Sequence, residues 1–152
     1  MFGYGSLVNR QLRGPYLRDW PVRFRAPFRR TWNAHCLSQE GIHYTALGLE
    51  PVATPHAING VVFEVTDARY AQLIHREKGY DVHIAQIDDF EWQTADRPVS
   101  GSISVFVIRD PKRPTTEYPI NPQYLYNCAE GFQALGSVAL DEFMESLASG
   151  YH

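Results

Sequence analysis

The sequence predicts an α+β protein: a small, mixed and mostly antiparallel β-barrel with flanking helices. The first observation is that strand-like segments recur along the chain up to residue 65 and return between residues 82 and 108. The second is that helical periodicity appears once between these regions and again after residue 121. An order of strands, helix, strands and helices is typical of an α+β plan whose sheet closes toward a barrel. A length of 152 residues with 44% hydrophobic residues suits one domain over 1–152.

The strands are predicted from short apolar segments bounded by turn formers. Residues 2–7 read as a short strand that runs into a glycine turn, and residues 22–25 alternate apolar side chains with arginine. Segments 44–49 and 58–65 are predicted as a second pair of strands. Since residues 51–59 between them are rich in turn formers, we expect the chain to reverse there.

The period then changes to that of a helix. Thr66 or Asp67 is suited to cap a helix over residues 67–78, and Gly79 stands where a C′ glycine belongs. Strand composition returns at 82–87 and 102–108. Two more helices are expected, one capped by Asn121 with proline at its first position and one capped by Ser137. Their apolar stripes are Leu125, Cys128, Ala129 and Phe132, and Leu140, Phe143, Met144 and Leu147.

Composition excludes several function classes. A net charge of −3 gives no bulk attraction to nucleic acid or anionic lipid, and no apolar run is long enough to cross a bilayer. Cys36 and Cys128 lack CxxC spacing, and six scattered histidines lack the spacing of metal ligands. We therefore expect a cytoplasmic protein with two buried free thiols, no membrane partner and no metal. One disulfide is the alternative for the two cysteines.

Glu77 breaks the pattern of the helix predicted over 67–78. The apolar stripe of that helix is Tyr70, Leu73 and Ile74, and the next position on the same face is Glu77. Partial burial and the negative end of the helix dipole both disfavour an ionised carboxylate, so the pKa of Glu77 should be raised toward neutral pH. A carboxyl group in that range can exchange protons during catalysis. The alternative is an ordinary salt bridge with Arg76, Lys78 or a distant arginine.

The glycine turn near the N-terminus is the second candidate feature. Gly3 and Gly5 let the backbone turn sharply and approach a ligand closely. Successive N–H groups in such a turn form a concave site for a carboxylate, or for the oxyanion that develops when an amide carbonyl is attacked. The alternative is a plain turn at the end of a strand.

Three segments together resemble one family. Residues 2–7, FGYGSL, resemble the YGS-type substrate loop of the gamma-glutamylcyclotransferase-like superfamily, and residues 75–80, HREKGY, resemble the RExxGY-like segment of its ChaC-type members. Residues 124–125, Tyr-Leu, with Gly131, resemble the C-terminal segment of the family. Phe132 departs from the pattern, since many members have a small residue after that glycine. The order and spacing of the segments match over nearly the whole chain.

The resemblance implies a fold, an activity and a set of site residues. The family fold is a small mixed β-barrel with flanking helices, and its members need no metal or cofactor. The implied reaction cyclises a gamma-glutamyl group and releases 5-oxoproline together with an amine, amino acid or dipeptide. Glu77 corresponds to the family's catalytic acid/base. The implied substrate-binding residues are Tyr4, Gly5, Ser6, Leu7 and Tyr124, and Tyr80 is placed to act like Tyr124 or simply to pack.

Two other functions compete with this one. A catalytically silent member of the fold would keep the pocket and bind a ligand without turning it over. Alternatively, the arginines among the aromatic residues of segment 18–32 would bind single-stranded nucleic acid. We prefer an ordinary solvated strand face for these arginines and expect no nucleic-acid partner, because the chain is acidic overall. The expected partner is a small gamma-glutamyl compound.

Overall fold

A computed structural model of the chain describes residues 1–14 and 17–149. Within these ranges the strands are β1 (Phe2–Gly3), β2 (Asp19–Leu37), β3 (His43–Phe63), β4 (Tyr80–Gln86), β5 (Phe90–Trp92) and β6 (Ser102–Ile108). The α-helices are α1 (Arg10–Arg13), α2 (Asp67–Arg76), α3 (Pro122–Leu135) and α4 (Ser137–Ser149). Short 3-10 turns lie at Ser6–Val8 and Ile87–Asp89.

The strands form two antiparallel sheets. The larger sheet has the order β1-β3-β2-β5, and β4 pairs only with β6 in the smaller one. The predicted α+β class and the antiparallel pairing are therefore confirmed. Closure into a barrel is not seen among the residues the structure describes, because the hydrogen-bonded ladders leave the two sheets separate.

A long hairpin of β2 and β3 is the main scaffold, and it corrects one prediction. Segments 44–49 and 58–65 are predicted as two strands. The first and most of the second instead belong to one strand, β3, which runs without reversal from His43 to Phe63. Ala26 pairs with His56 and Phe28 with Pro51, so Pro27 faces residues 52–55. Proline has no N–H for the ladder, and the turn formers of β3 bulge out opposite it instead of turning the chain back.

Helix α2 is shorter than predicted. It begins after Thr66, whose hydroxyl accepts the Arg69 N–H at 3.2 Å, and it ends at Arg76. The prediction that it reaches residue 78 is wrong. Gly79 is not in the left-handed region, so the C′ glycine expectation is wrong as well. Ile74 is exposed, and the apolar face of the helix is centred on the fully buried Leu73.

The two C-terminal helices largely match their predictions. The Asn121 side chain caps α3 by accepting the Gln123 N–H at 2.9 Å, and Pro122 is its first residue. Phe132 of α3 stacks on Phe143 of α4 with ring centroids 4.3 Å apart. Two details differ from the predictions. Ser137, which was expected to cap α4, is instead its first residue. In addition, Met144 is exposed where a buried position was expected.

Cys36 and Cys128 are free thiols, as expected from their spacing. Cys128 is buried on the inner face of α3. Cys36, which was expected to be buried as well, is only half-buried near the end of β2. In the described part of the chain, every helix is too short or too polar to cross a lipid bilayer.

Candidate active site

One pocket contains every site residue that is predicted from the sequence. It lies between the N-terminal turn, β3, β6, α3 and the segment that follows α2. Its walls are formed by Phe2, Gly3, Tyr4, Gly5, Ser6, Leu7, Leu47, Glu77, Tyr80, Phe106 and Tyr124. The three segments that carried the family resemblance therefore meet in space, although they lie far apart in the sequence.

The N-terminal turn is shaped by a 3-10 turn packed closely against α3. The Val8 N–H donates to the Gly5 carbonyl at 3.1 Å, which closes this turn. The first N–H groups of a helical turn have no acceptor within the turn, so those of Ser6 and Leu7 remain for a ligand. Gly131 explains why α3 lies so near: a Cβ there would stand 2.5 Å from the Asn9 nitrogen.

Gly5 and Tyr124 meet directly. A Cβ at Gly5 would lie 2.9 Å from the Tyr124 hydroxyl oxygen, a distance that only glycine tolerates without displacing the phenol. The same hydroxyl oxygen accepts the Leu47 N–H at 3.4 Å. Tyr124 therefore joins the N-terminal turn to the open edge of β3.

Three tyrosine hydroxyls hydrogen-bond to backbone groups around the pocket. Tyr80 donates to the Leu47 carbonyl at 3.3 Å, so side chains satisfy both backbone groups of Leu47 where no strand pairs with this edge. Tyr4 donates to the Phe106 carbonyl at 2.8 Å. Burial raises the pKa of Tyr4, Tyr80 and Tyr124 above the usual phenol range. All three hydroxyls therefore keep their protons at neutral pH.

Glu77 lies at the C-terminal cap of α2 rather than inside the helix. Its N–H donates to the Leu73 carbonyl at 3.0 Å, and its own carbonyl accepts the Tyr80 N–H at 3.2 Å. This arrangement ends the helix and directs the following residues back along the pocket wall. The backbone of Glu77 is thereby fixed by neighbours on both sides.

The Glu77 carboxyl group is half-buried, and no side chain in residues 1–14 and 17–149 hydrogen-bonds or ion-pairs with it. The salt bridge considered as the alternative is absent from these residues. Burial raises the pKa of Glu77 above its usual value and outweighs the opposing effect of the neighbouring Arg76. The group thus combines a raised pKa with open access to the pocket.

Several residues near the pocket were not predicted. The aromatic and aliphatic walls at Phe2, Leu47 and Phe106 fall in strands whose composition alone does not distinguish a pocket from a core. Cys36 and Tyr44 pair across β2 and β3. Both lie close enough to Glu77 for its negative charge to raise the pKa of their side chains. Burial first, and the negative charge of Glu77 second, raise the pKa of Cys36 to about 11. Phe132, which departs from the family pattern, packs on Phe143 and is not part of the pocket.

Comparison with known proteins identifies the fold. No family model matches the chain, and no curated protein does. Among solved structures, a gamma-glutamyl cyclotransferase superposes with a TM-score of 0.67 at 17% identity, covering 94% of this chain and 84% of that one. An uncharacterized human protein superposes with a TM-score of 0.68 at 17% identity, covering 95% and 83%.

A yeast gamma-glutamyl cyclotransferase specific to glutathione gives a TM-score of 0.60 at 15% identity, covering 99% of this chain and 96% of the yeast protein. The chain therefore has the gamma-glutamylcyclotransferase-like fold, and the fold family predicted from the sequence is confirmed.

Proposed function

We propose that this protein is a gamma-glutamyl cyclotransferase in which Glu77 is the general acid and base. The observation that carries the proposal is the unpaired, half-buried Glu77 carboxyl group in the same pocket as the turn at Gly5–Leu7. One face of the pocket offers backbone N–H donors, and another offers a proton acceptor of raised pKa. A gamma-glutamyl group needs both, because it carries an α-carboxylate, an α-amine and a γ-carbonyl on one short chain.

The turn binds and orients the substrate. The N–H groups of Ser6 and Leu7 suit the α-carboxylate or the oxyanion that develops on the γ-carbonyl oxygen. Tyr124, whose oxygen already accepts the Leu47 N–H, has a phenolic proton to donate to the substrate. Holding the amine and the carbonyl in attacking geometry is worth roughly 7–11 kcal/mol of the barrier.

Glu77 transfers the proton. The substrate's α-nitrogen attacks the carbon of its own γ-carbonyl group, and Glu77 takes a proton from that nitrogen as the new C–N bond forms. When the old γ-amide C–N bond breaks, Glu77 returns the proton to the departing nitrogen. The products are 5-oxoproline and a free amine, so the step needs no external water or co-reactant. Acid–base assistance of this kind is typically worth about 10²–10⁴-fold.

The arginines of segment 18–32 weigh against nucleic-acid binding as the function. Four of them pair with carboxylates, namely Arg18 with Asp96, Arg23 with Glu142, Arg25 with Glu91 and Arg29 with Glu50. The fifth, Arg30, is buried. An ion-paired or buried guanidinium contributes little to the basic surface that a polyanion requires.

The test is to incubate the protein with glutathione, gamma-glutamyl-alanine and gamma-glutamyl-lysine and to measure 5-oxoproline. We expect release from at least one compound, with a loss of at least about 100-fold in Glu77→Gln. Glu40→Gln is the matched control, because it makes the same change at an exposed glutamate in a turn that does not line the pocket. Binding of these compounds without turnover would indicate the silent alternative. Equal rates for the parent protein and Glu77→Gln would remove Glu77 from the mechanism.

A further inference from the structure

We propose that Arg30 is a positioning residue that holds the N-terminal turn in its binding conformation and strengthens its N–H donors. This inference rests on the proposed function for its catalytic consequence. Arg30 lies in β2 beneath the pocket and is not among the residues that line it. Any effect on the reaction is therefore indirect, and the turn is the part of the pocket that Arg30 contacts.

The Arg30 guanidinium joins three parts of the fold. One terminal nitrogen donates to the Tyr4 carbonyl at 3.1 Å and to the Asn59 carbonyl at 2.8 Å. The other donates to the Asn59 Oδ1 at 2.9 Å and to the Ser146 hydroxyl at 2.8 Å. These bonds tie the start of the turn to β3 and to α4. The planar fork of arginine suits such a junction, and a lysine ammonium does not reproduce it.

The environment of this charge is unusual. Arg30 is 4% exposed, and its guanidinium lies over the rings of Phe132 and Phe143 at 5.2 and 4.8 Å. Within the described residues it forms no salt bridge, so carbonyls, an amide, a hydroxyl and two aromatic faces hold the cation. Burying a cation without a carboxylate partner costs stability. Holding the N-terminal turn in place gives a reason for keeping the cation despite this cost.

The bond to the Tyr4 carbonyl has an electrostatic consequence. That carbonyl belongs to the same peptide group as the N–H of Gly5, a residue that lines the pocket. A cationic donor on the carbonyl polarises the peptide and makes its N–H a stronger donor, as in any hydrogen-bonded chain in a low-dielectric interior. Arg30 thereby transmits positive potential to the side of the pocket proposed to hold the substrate's anionic groups.

The junction also connects α4 to the pocket. The Asn59 side chain, which accepts from Arg30, donates to the Ala139 carbonyl of α4 at 3.0 Å. The Ser146 hydroxyl donates to the Phe143 carbonyl of α4 at 2.7 Å. Through these two contacts Arg30 fixes the distance between the C-terminal helix and the N-terminal turn.

The test compares Arg30→Met with Arg13→Met. Arg13 is a matched control because it is also buried, at 1% exposed, and also lies over an aromatic ring, that of Phe63 at 5.2 Å. It pairs with Asp19 and is not among the residues that line the pocket. Amide hydrogen exchange of the fragment 2–9 reports on the turn without requiring activity, and the midpoint of urea unfolding reports global stability.

We expect Arg30→Met to accelerate exchange in fragment 2–9 beyond what its stability loss explains, and Arg13→Met not to do so. For a substrate that the parent protein cyclises, kcat should fall roughly 10–100-fold in Arg30→Met, the loss expected for one charge-assisted hydrogen bond. Arg30→Lys, which keeps the charge but not the fork, should recover part of that loss.

Wild-type protection of fragment 2–9 in Arg30→Met would overturn the inference, as would a kcat no lower than that of Arg13→Met. A parent protein inactive on every gamma-glutamyl compound would defeat the proposed function alone, since the exchange comparison still decides whether Arg30 holds the turn.

Discussion

The contact between Gly5 and Tyr124 gives the sharpest test of how the pocket is assembled. In Gly5→Ala the new Cβ stands 2.9 Å from the Tyr124 hydroxyl oxygen, about half an ångström inside ordinary contact. The phenol does not move freely, because its oxygen accepts the Leu47 N–H and its ring packs against that of Trp32, with the ring centroids 6.0 Å apart. Overpacking of this kind typically costs about 1–3 kcal/mol.

Removing the hydroxyl should remove most of that cost. In Tyr124→Phe the next atom that the added Cβ meets is the Leu47 Cβ at 3.7 Å, an ordinary contact. The single change Tyr124→Phe should itself cost about 1 kcal/mol, because the Leu47 N–H loses its acceptor. The double variant should therefore be more stable than the sum of the single changes predicts, by roughly 1–2 kcal/mol.

Urea unfolding of the parent, both single variants and the double variant measures this coupling directly. Gly79→Ala is the control, since a Cβ there meets nothing within 4 Å and should change stability by no more than about 0.5 kcal/mol. If Gly5→Ala costs the same with tyrosine or phenylalanine at 124, the two segments do not touch and the assembly of the pocket is wrong.

The remaining predictions concern Glu77. Because its pKa is raised by burial, the parent loses stability as pH rises through the unfolded and then the folded pKa. In urea unfolding, Glu77→Gln should match the parent in stability below about pH 4, gain on it as pH rises from the unfolded to the folded pKa of Glu77, and keep a constant advantage above that; a difference that is the same at every pH would refute the burial effect. The kcat/KM of the parent should rise with pH through a pKa above the ordinary carboxyl range, since the base must be ionised. In Glu77→Gln the residual kcat/KM should not show this rise. Iodoacetamide should alkylate Cys36 slowly at pH 8, and faster in Glu77→Gln, because the nearby negative charge that raises the thiol pKa is removed. An unchanged alkylation rate would place Cys36 and Glu77 too far apart to interact.

Local signals in the sequence predicted the helices well and the position of Glu77 incompletely. Asn121 followed by Pro122 marks a helix start by chemistry that belongs to those two residues, and α3 begins there. Glu77 was identified because it breaks an apolar stripe, yet it lies on the cap of α2 and not on its face. Helix ends depend on which backbone groups find partners, and here the Leu73 carbonyl and the Tyr80 N–H decide the end.

Non-local pairing explains what the sequence could not predict. Turn formers in segment 51–59 indicate a reversal, but pairing with β2 keeps β3 continuous and turns them into a bulge. Arg30 resembles its neighbours in a run of strand arginines, and nothing in that pattern separates a buried guanidinium from an ion-paired one. Its role depends on Tyr4, Asn59 and Ser146, which fold topology brings together.

The most direct measurement of the central claim is the mass of the product formed from gamma-glutamyl-alanine in water enriched in oxygen-18. Attack by the substrate's own amine within the Glu77 pocket predicts unlabelled 5-oxoproline, formed by the parent and at least about 100-fold more slowly by Glu77→Gln. Labelled glutamate would show attack by water instead, and unlabelled 5-oxoproline formed equally by both proteins would show that Glu77 has no part in the cyclisation.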